Sequence, residues 1–188
     1  MGMSTSRKRW TAAEIDALPA DGFRHEIIDG ERFVTPAPSL FHQRAVLRLA
    51  VLLLPYCDAL GADLGFAPGD VKFSEFDQVQ PDVFVLPFTA DGRRPTRFSD
   101  VGRLLLAVEV LSPSSLRTDR VRKRMLYQAQ GVPEYWIVDV DVLTIERWTP
   151  VSVKAKVFSD VLEWQPVGAH GAVIRIDLVE YFRSVHAV

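Results

Sequence analysis

Glu109 lies inside the run Leu104-Leu105-Leu106-Ala107-Val108-Glu109-Val110-Leu111, which otherwise has the make-up of a fully buried strand. A carboxylate in such a strand needs compensation, because burying an unpaired charge costs several kcal/mol or forces protonation. A metal ion is the compensation that carries a function; an ion pair with a buried arginine is the structural one. A second carboxylate, Asp82, follows Pro81 and opens the apolar run Val83-Phe84-Val85-Leu86. Taken alone, Asp82 reads as a strand-entry or turn cap. Alternation with a period of two puts Leu105, Ala107, Glu109 and Leu111 on one face, and Asp82, Phe84 and Leu86 on one face of their own strand. If the strands are neighbours, both acids point to one side and offer oxygen to a hard cation. Magnesium suits them, since it takes one or two carboxylates, keeps waters and accepts phosphate oxygens, with manganese as the alternative ion. The pair therefore implies divalent-metal chemistry on a phosphodiester.

A basic helix supplies the third part. Asp119, Lys123 and Tyr127 fall at successive i, i+4 positions and so share a face. A lysine there could position an attacking water and offset charge developing on phosphoryl oxygens. Arg117, Arg120, Arg122 and Arg124 form a basic surface suited to a phosphate backbone, or else a solvated face. Arg93, Arg94 and Arg97 add cations in a preceding loop. The whole chain carries a net charge of −2, so any nucleic-acid binding rests on such a local patch rather than on global attraction.

The elements that must position these residues follow from patterning. Thr11-Ala12-Ala13-Glu14 is a capping box that starts a short helix. Residues 23–29 and 31–35 read as a hairpin around Asp29-Gly30. Ser39 caps a helix whose apolar spacing runs from Ala45 to Leu53 and which stops near Asp58. Strands are expected over 62–67, 71–74, 82–86, 104–111, 135–139, 143–148, 153–158 and 173–176, with 75–80 as a separator. A helix over 117–130 ends at Gly131 and Pro133, and Asp177 caps a short final helix.

With 188 residues and 48% hydrophobic content, the chain fits one α/β domain over 1–188 with a mixed sheet, residues 1–35 forming a helix-and-hairpin extension. The lone Cys57 excludes an internal disulfide and a cysteine zinc cluster, and reads as a buried small hydrophobe in a reducing cytoplasm. No apolar stretch is long enough for a membrane span. Gly2 to Ser6 matches a myristoylation pattern only loosely.

The ordered segments Gln80-Pro81-Asp82-Val83, Val108-Glu109-Val110-Leu111-Ser112-Pro113-Ser114, Asp119, Lys123, Tyr127 and Gly131-Val132-Pro133-Glu134-Tyr135-Trp136-Ile137-Val138-Asp139 resemble the Uma-type bacterial restriction endonuclease family. That family belongs to the PD-(D/E)XK nuclease superfamily. Glu26-Ile27-Ile28-Asp29-Gly30 and His42 fit the same resemblance, which spans nearly the whole chain. It implies a restriction-endonuclease-like core, a mixed sheet flanked by helices, and magnesium-dependent DNA cleavage. By that likeness Asp82 and Glu109 are metal ligands, the Val110 carbonyl joins them, and Lys123 replaces the superfamily lysine, whose usual place is Leu111. Glu26 is a candidate third acid, or an exposed hairpin residue; His42 is a candidate substrate contact, or a capping histidine. Two rivals stand beside this reading: a non-enzymatic nucleic-acid-binding protein of the same fold, and an interaction module whose acids are all ion-paired. Cutting both strands of a duplex calls for two active sites, which favours a homodimer.

Overall fold

The computed structural model describes residues 8–98, 101, 103–166 and 173–187. Thr11 caps α1 (Ala12–Asp16) with both halves of the expected capping box in place. The chain turns at Asp29 and Gly30, both at positive φ, and joins β1 (Arg24–Ile28) to β2 (Glu31–Thr35). The Ser39 hydroxyl accepts the His42 amide at 3.2 Å and starts α2 (Leu40–Cys57), which buries His42, Ala45, Leu49, Leu53 and Cys57 on one stripe. Cys57 is buried, as its surroundings in the sequence imply, and its thiol donates to the Leu53 carbonyl at 3.5 Å.

Past a 3₁₀ turn at Asp58–Leu60, β3 (Ala62–Phe66), β4 (Val71–Ser74), β5 (Asp77–Val79), β6 (Val83–Pro87) and β7 (Leu106–Val110) follow. A helical stretch then runs through Thr118–Lys123 and α3 (Arg124–Ala129) to β8 (Glu134–Asp139) and β9 (Thr144–Trp148). The last elements are β10 (Lys156–Phe158), β11 (Val161–Trp164), β12 (Ile174–Asp177) and α4 (Leu178–His186). Asp177 caps α4 through the Glu180 amide, as expected.

Six strands form a mixed sheet in the order β10-β9-β8-β7-β6-β3, in which only β7 and β8 run parallel. One face carries Val83, Val85, Leu106, Val108, Val110, Trp136 and Val138 against α2, α4 and the β11–β12 hairpin, with Trp136 edge-on to Trp164 at 5.6 Å. The other carries Phe84, Leu86, Ala107, Tyr135 and Ile137 against α3 and a second, antiparallel sheet in the order β2-β1-β5-β4. The mixed α/β architecture is thus two-sided: helices cover one face, while a small sheet and a helix cover the other.

Four expectations need correction. Residues 77–79 are a strand, not a separator: Gln78 pairs with both Ile27 and Lys72, and this joins the N-terminal hairpin to the rest of its sheet. Three residues, two of them polar, carry too little pattern to be seen alone. Val161–Trp164 is likewise a strand that patterning missed. The central strand begins at Leu106 rather than Leu104, and the alternation fails before it: Leu105 joins the α2 side and Leu104 the other. Finally, Thr118–Lys123 is a π-helical segment rather than the first turns of an α-helix.

Gly65 faces Phe84 across the β3–β6 pairing, and a Cβ there would clash with the Phe84 ring. Gly65→Ala is therefore expected to lower the unfolding free energy by about 1–3 kcal/mol through overpacking, as read by urea denaturation.

Candidate metal centre

The register that pairs Val83 with Val108 carries on one step to set Asp82 against Glu109. Residues directly opposite in an antiparallel pair project to the same side, so the two acids face one space beside α3. Asp82 is anchored from three directions. Its Oδ2 accepts from the Val110 amide at 2.9 Å and lies 3.0 Å from His42 Nε2, and its Oδ1 accepts from Arg24 Nη1 at 2.9 Å. His42 Nε2 also lies 3.0 Å from the Val110 carbonyl oxygen.

Glu109 meets a different set. Its Oε1 accepts from Lys123 Nζ at 2.9 Å and from the Tyr127 hydroxyl at 3.2 Å. Lys123 Nζ is also 2.9 Å from Glu26 Oε1 and 3.6 Å from Asp119 Oδ1. Glu26 is fixed in turn by the Gln80 amide at 2.7 Å. The hydroxyl of Tyr135 donates to the Asp119 carbonyl at 3.1 Å, tying the π-helical segment to β8. Widened helical turns of this kind recur at functional sites. All of Glu26, Asp82, Glu109, Asp119 and Lys123 are at most 2% exposed, and all five line a cavity of about 180 Å³.

The structure thus brings together Asp82, Glu109, Lys123, Glu26, the Val110 carbonyl and His42. Glu26 is no exposed hairpin residue, and His42 sits within the centre rather than on a surface. Of the arginines singled out, Arg117 is exposed between the cavity-lining Ser115 and Thr118, and Arg122 is exposed and paired with Glu31. Arg120 is paired to Asp139 and Glu146 at 3.0 and 2.8 Å, and Arg124 bonds Gln128 and covers Trp148. Arg93 and Arg94 pair with Asp91 and Asp63 in the loop after β6, at the end of that strand remote from Asp82.

One participant went unread in the sequence. Arg24 supplies a counter-ion to Asp82; its spacing of two from Glu26 along β1 was the available signal. Asp119 has neither carboxylate oxygen hydrogen-bonded, despite being 1% exposed.

Electrostatics follow from this crowding. Burial pushes the Glu109 carboxyl well above its usual range; the Lys123 charge opposes that, and Asp119, Asp82 and Glu26 reinforce it. Burial also raises Asp119, again against the pull of Lys123. For Lys123, burial acts downward but is outweighed by Glu109, Glu26, Asp119 and Asp82, so the ammonium is held well above the ordinary lysine range. Asp82 goes the opposite way from Glu109. Burial acts upward on it, yet His42, Arg24 and Lys123 together bring it down from 3.8 to about 2.

A depressed carboxylate contributes stability that is complete above its unfolded value and is lost as pH falls through its folded one. Asp82 should accordingly contribute about 2 kcal/mol above pH 4, disappearing toward pH 2. Carbon-detected NMR titration of its carboxyl is expected to show no midpoint between pH 3 and 5.

The donor set fits a divalent cation. Four buried carboxylates, Glu26, Asp82, Glu109 and Asp119, face two permanent cations, Lys123 and Arg24, so the fully ionised set exceeds its cations by two negative charges. Asp119, whose carboxylate accepts no hydrogen bond and forms a 3.6 Å ion pair with Lys123, is part of that set. Among the described residues, no three His, Cys, Asp or Glu side chains converge tightly enough to hold an ion by themselves. A carbonyl and substrate oxygens would complete such a sphere, as is usual for magnesium.

The family model of Uma2, described as "Putative restriction endonuclease", matches residues 12–179. A crystal structure of "a putative nuclease belonging to DUF820" from Anabaena variabilis ATCC 29413 is similar over 93% of this chain and 98% of that one, with a TM-score of 0.76 and 20% identity. At that identity the likeness is one of fold: a mixed sheet flanked by helices, of restriction-endonuclease-like type. No curated protein matches the chain.

Proposed function

From the premise that this chain belongs to the Uma2 family of nucleases, we propose that it is a divalent-metal-dependent endonuclease that hydrolyses phosphodiester bonds in DNA. The observation that carries the proposal is the buried cluster in which Asp82 and Glu109, from paired strands, share one cavity with Lys123. Asp82, Glu109 and the Val110 carbonyl would hold the ion, magnesium or manganese. Bound there, it would polarise the scissile phosphate and stabilise the departing 3′ oxygen.

The remaining steps fall to the chain's own groups. Lys123 stays protonated, so it acts by its charge and its hydrogen bonds, offsetting the phosphoryl oxygens and orienting the attacking water rather than deprotonating it. Glu26 holds Lys123 in that position opposite Glu109. Arg24 and the Val110 amide keep Asp82 ionised and fixed in rotamer. Residues 1–188 act as one domain, and two copies pair to cut both strands. Arg117, exposed at the cavity border, follows the phosphate backbone. No helix among the described residues is long and apolar enough to cross a membrane.

Glu109→Gln is expected to remove magnesium-dependent plasmid nicking while the circular dichroism spectrum is preserved. Undiminished nicking by the purified variant would rule out this centre. Wild-type binding that is salt-sensitive but yields no products would favour the non-enzymatic reading.

A further inference from the structure

Beside the centre lies a second, larger cavity. It encloses about 900 Å³ between the end of α1, the segment leading into β1, the first half of α2 and the turn after β3. Arg24, His42, Asp82 and residues 36–38 line both spaces, so whatever fills the larger one lies next to Asp82. Its walls are chiefly apolar, with Leu18, Val46, Leu47 and the rings of Phe23 and Phe66 among them. Those two rings are 53% and 58% exposed, and neither stacks on another aromatic ring among the described residues. Apolar surface gathered in one concave place of this size marks a ligand site.

The charges of the lining decide what that ligand is. Asp16, Asp21, Asp70 and Asp82 line it, whereas Arg24 is its only lysine or arginine. That guanidinium is already engaged by Asp82 Oδ1 and the Gln80 carbonyl, at 2.9 and 3.2 Å. Such a lining repels a phosphate and accepts the uncharged part of a nucleotide. A base has apolar faces to stack and a polar edge to hydrogen-bond. The Gln78 and Gln80 amides donate to Asp16 and Asp70, each at 2.9 Å. The side-chain amide of Gln43, by contrast, meets no protein partner among the described residues and can read that edge. Resting on the nuclease reading, we infer that this cavity receives an unpaired base of the DNA strand being cut, stacked on Phe66 and Phe23, while its phosphate lies at the metal centre. Turning a base out of a duplex costs unstacking and unpairing, which an already unpaired strand does not incur. The centre therefore favours single-stranded or mismatched DNA over an intact duplex.

The test uses the full chain and short DNA strands carrying the fluorescent base 2-aminopurine at successive positions. Binding is read in calcium, a hard ion for the same oxygens, and cleavage in magnesium. Emission should change at one or two positions next to the cut and nowhere else. Phe66→Ala should weaken binding of the unpaired strand by about tenfold or more. The slope of affinity against salt should stay the same, since the ring touches no phosphate. Leu54→Ala, exposed on α2 outside the cavity, should change nothing. In magnesium, the unpaired strand should be cut at least about tenfold faster than the same sequence in an intact duplex. The emission of the wild-type complex reads the pocket without any variant, so a misfolded Phe66→Ala does not decide the matter. Equal cutting of paired and unpaired strands, with no position-specific emission change, would overturn the base pocket and leave the nuclease reading standing. A Phe66-dependent emission change without cleavage of any strand would keep the pocket and overturn the nuclease reading. A dimer that both Phe66→Ala and Leu47→Asn dissociate in sedimentation would make the cavity an interface between copies and overturn the base pocket.

Discussion

Lys123→Met is expected to lower the unfolding free energy by about 3–5 kcal/mol near neutral pH, although methionine matches the stem of lysine and fills the same space. The cost arises because the ammonium is the shared counter-ion of Glu109 and Glu26, at 2.9 Å from each, and the nearest cation to Asp119. Removing it leaves buried carboxylates that must either stay charged without a partner or take up protons. The sign of the pH dependence follows. Glu109 already has a folded-state carboxyl raised above its unfolded one, and loss of Lys123 raises it further. Such a group binds more protons folded than unfolded, so the variant loses stability as pH climbs above the ordinary carboxylate range. Urea denaturation at pH 5 and pH 8 should show a small deficit at the first and the full deficit at the second. An equal deficit at both values would mean that Lys123 contributes packing rather than charge. Added manganese should restore part of the loss at pH 8, since the ion replaces the missing positive charge.

That variant touches residues which the sequence exposed to different degrees. Glu109 was conspicuous because its strand was otherwise wholly apolar, and Asp82 because it broke into a similar run. Lys123 could be placed on one face with Asp119 and Tyr127, and all three are buried together. Period-two alternation held where β7 is paired on both sides and failed at Leu104 and Leu105, ahead of the strand. Short-range signals such as the Thr11 capping box, the Asp29-Gly30 turn and the Ser39 and Asp177 caps were all legible, since each is written within a few residues.

What patterning could not reach depends on pairings remote in sequence. Glu26 and Arg24 reach the centre because β5 bridges β1 to β4, and β5 is too short to announce itself. Without it, the β1–β2 hairpin looks like an appendage; with it, Arg24, Glu26 and Thr35 line the cavity. Burial of His42 similarly depends on α2 lying close to the start of β6 and the end of β7. The arginines show the converse. Their spacing promised a basic face, but Asp139 and Glu146, brought up by β8 and β9, engage Arg120. A charge run records composition, whereas its partners belong to the tertiary structure.

Asp82→Asn is expected to reduce cleavage on the order of 10³-fold or more. Asparagine keeps the shape and still offers one oxygen to Arg24, so packing is retained. Its amide nitrogen, however, would point a donor at the Val110 amide and at His42 if that oxygen stays on Arg24. Both the negative charge and the second acceptor are lost together, and with them the charge excess that a divalent cation would balance. Stability is affected less simply. Arg24, half-buried and now without its closest anion, becomes a cost, partly offset by Glu109 and Glu26, whose charges also act on it. Titration calorimetry should find metal affinity lost alongside nicking, while the melting temperature changes by only a few degrees. If affinity falls but nicking survives, Asp82 is a structural anchor for Arg24 and His42, and catalysis runs from Glu109 alone. If both survive, the paired-strand carboxylates are not the centre, and the excess negative charge must be balanced by protons on Glu109 and Asp119 rather than by a metal.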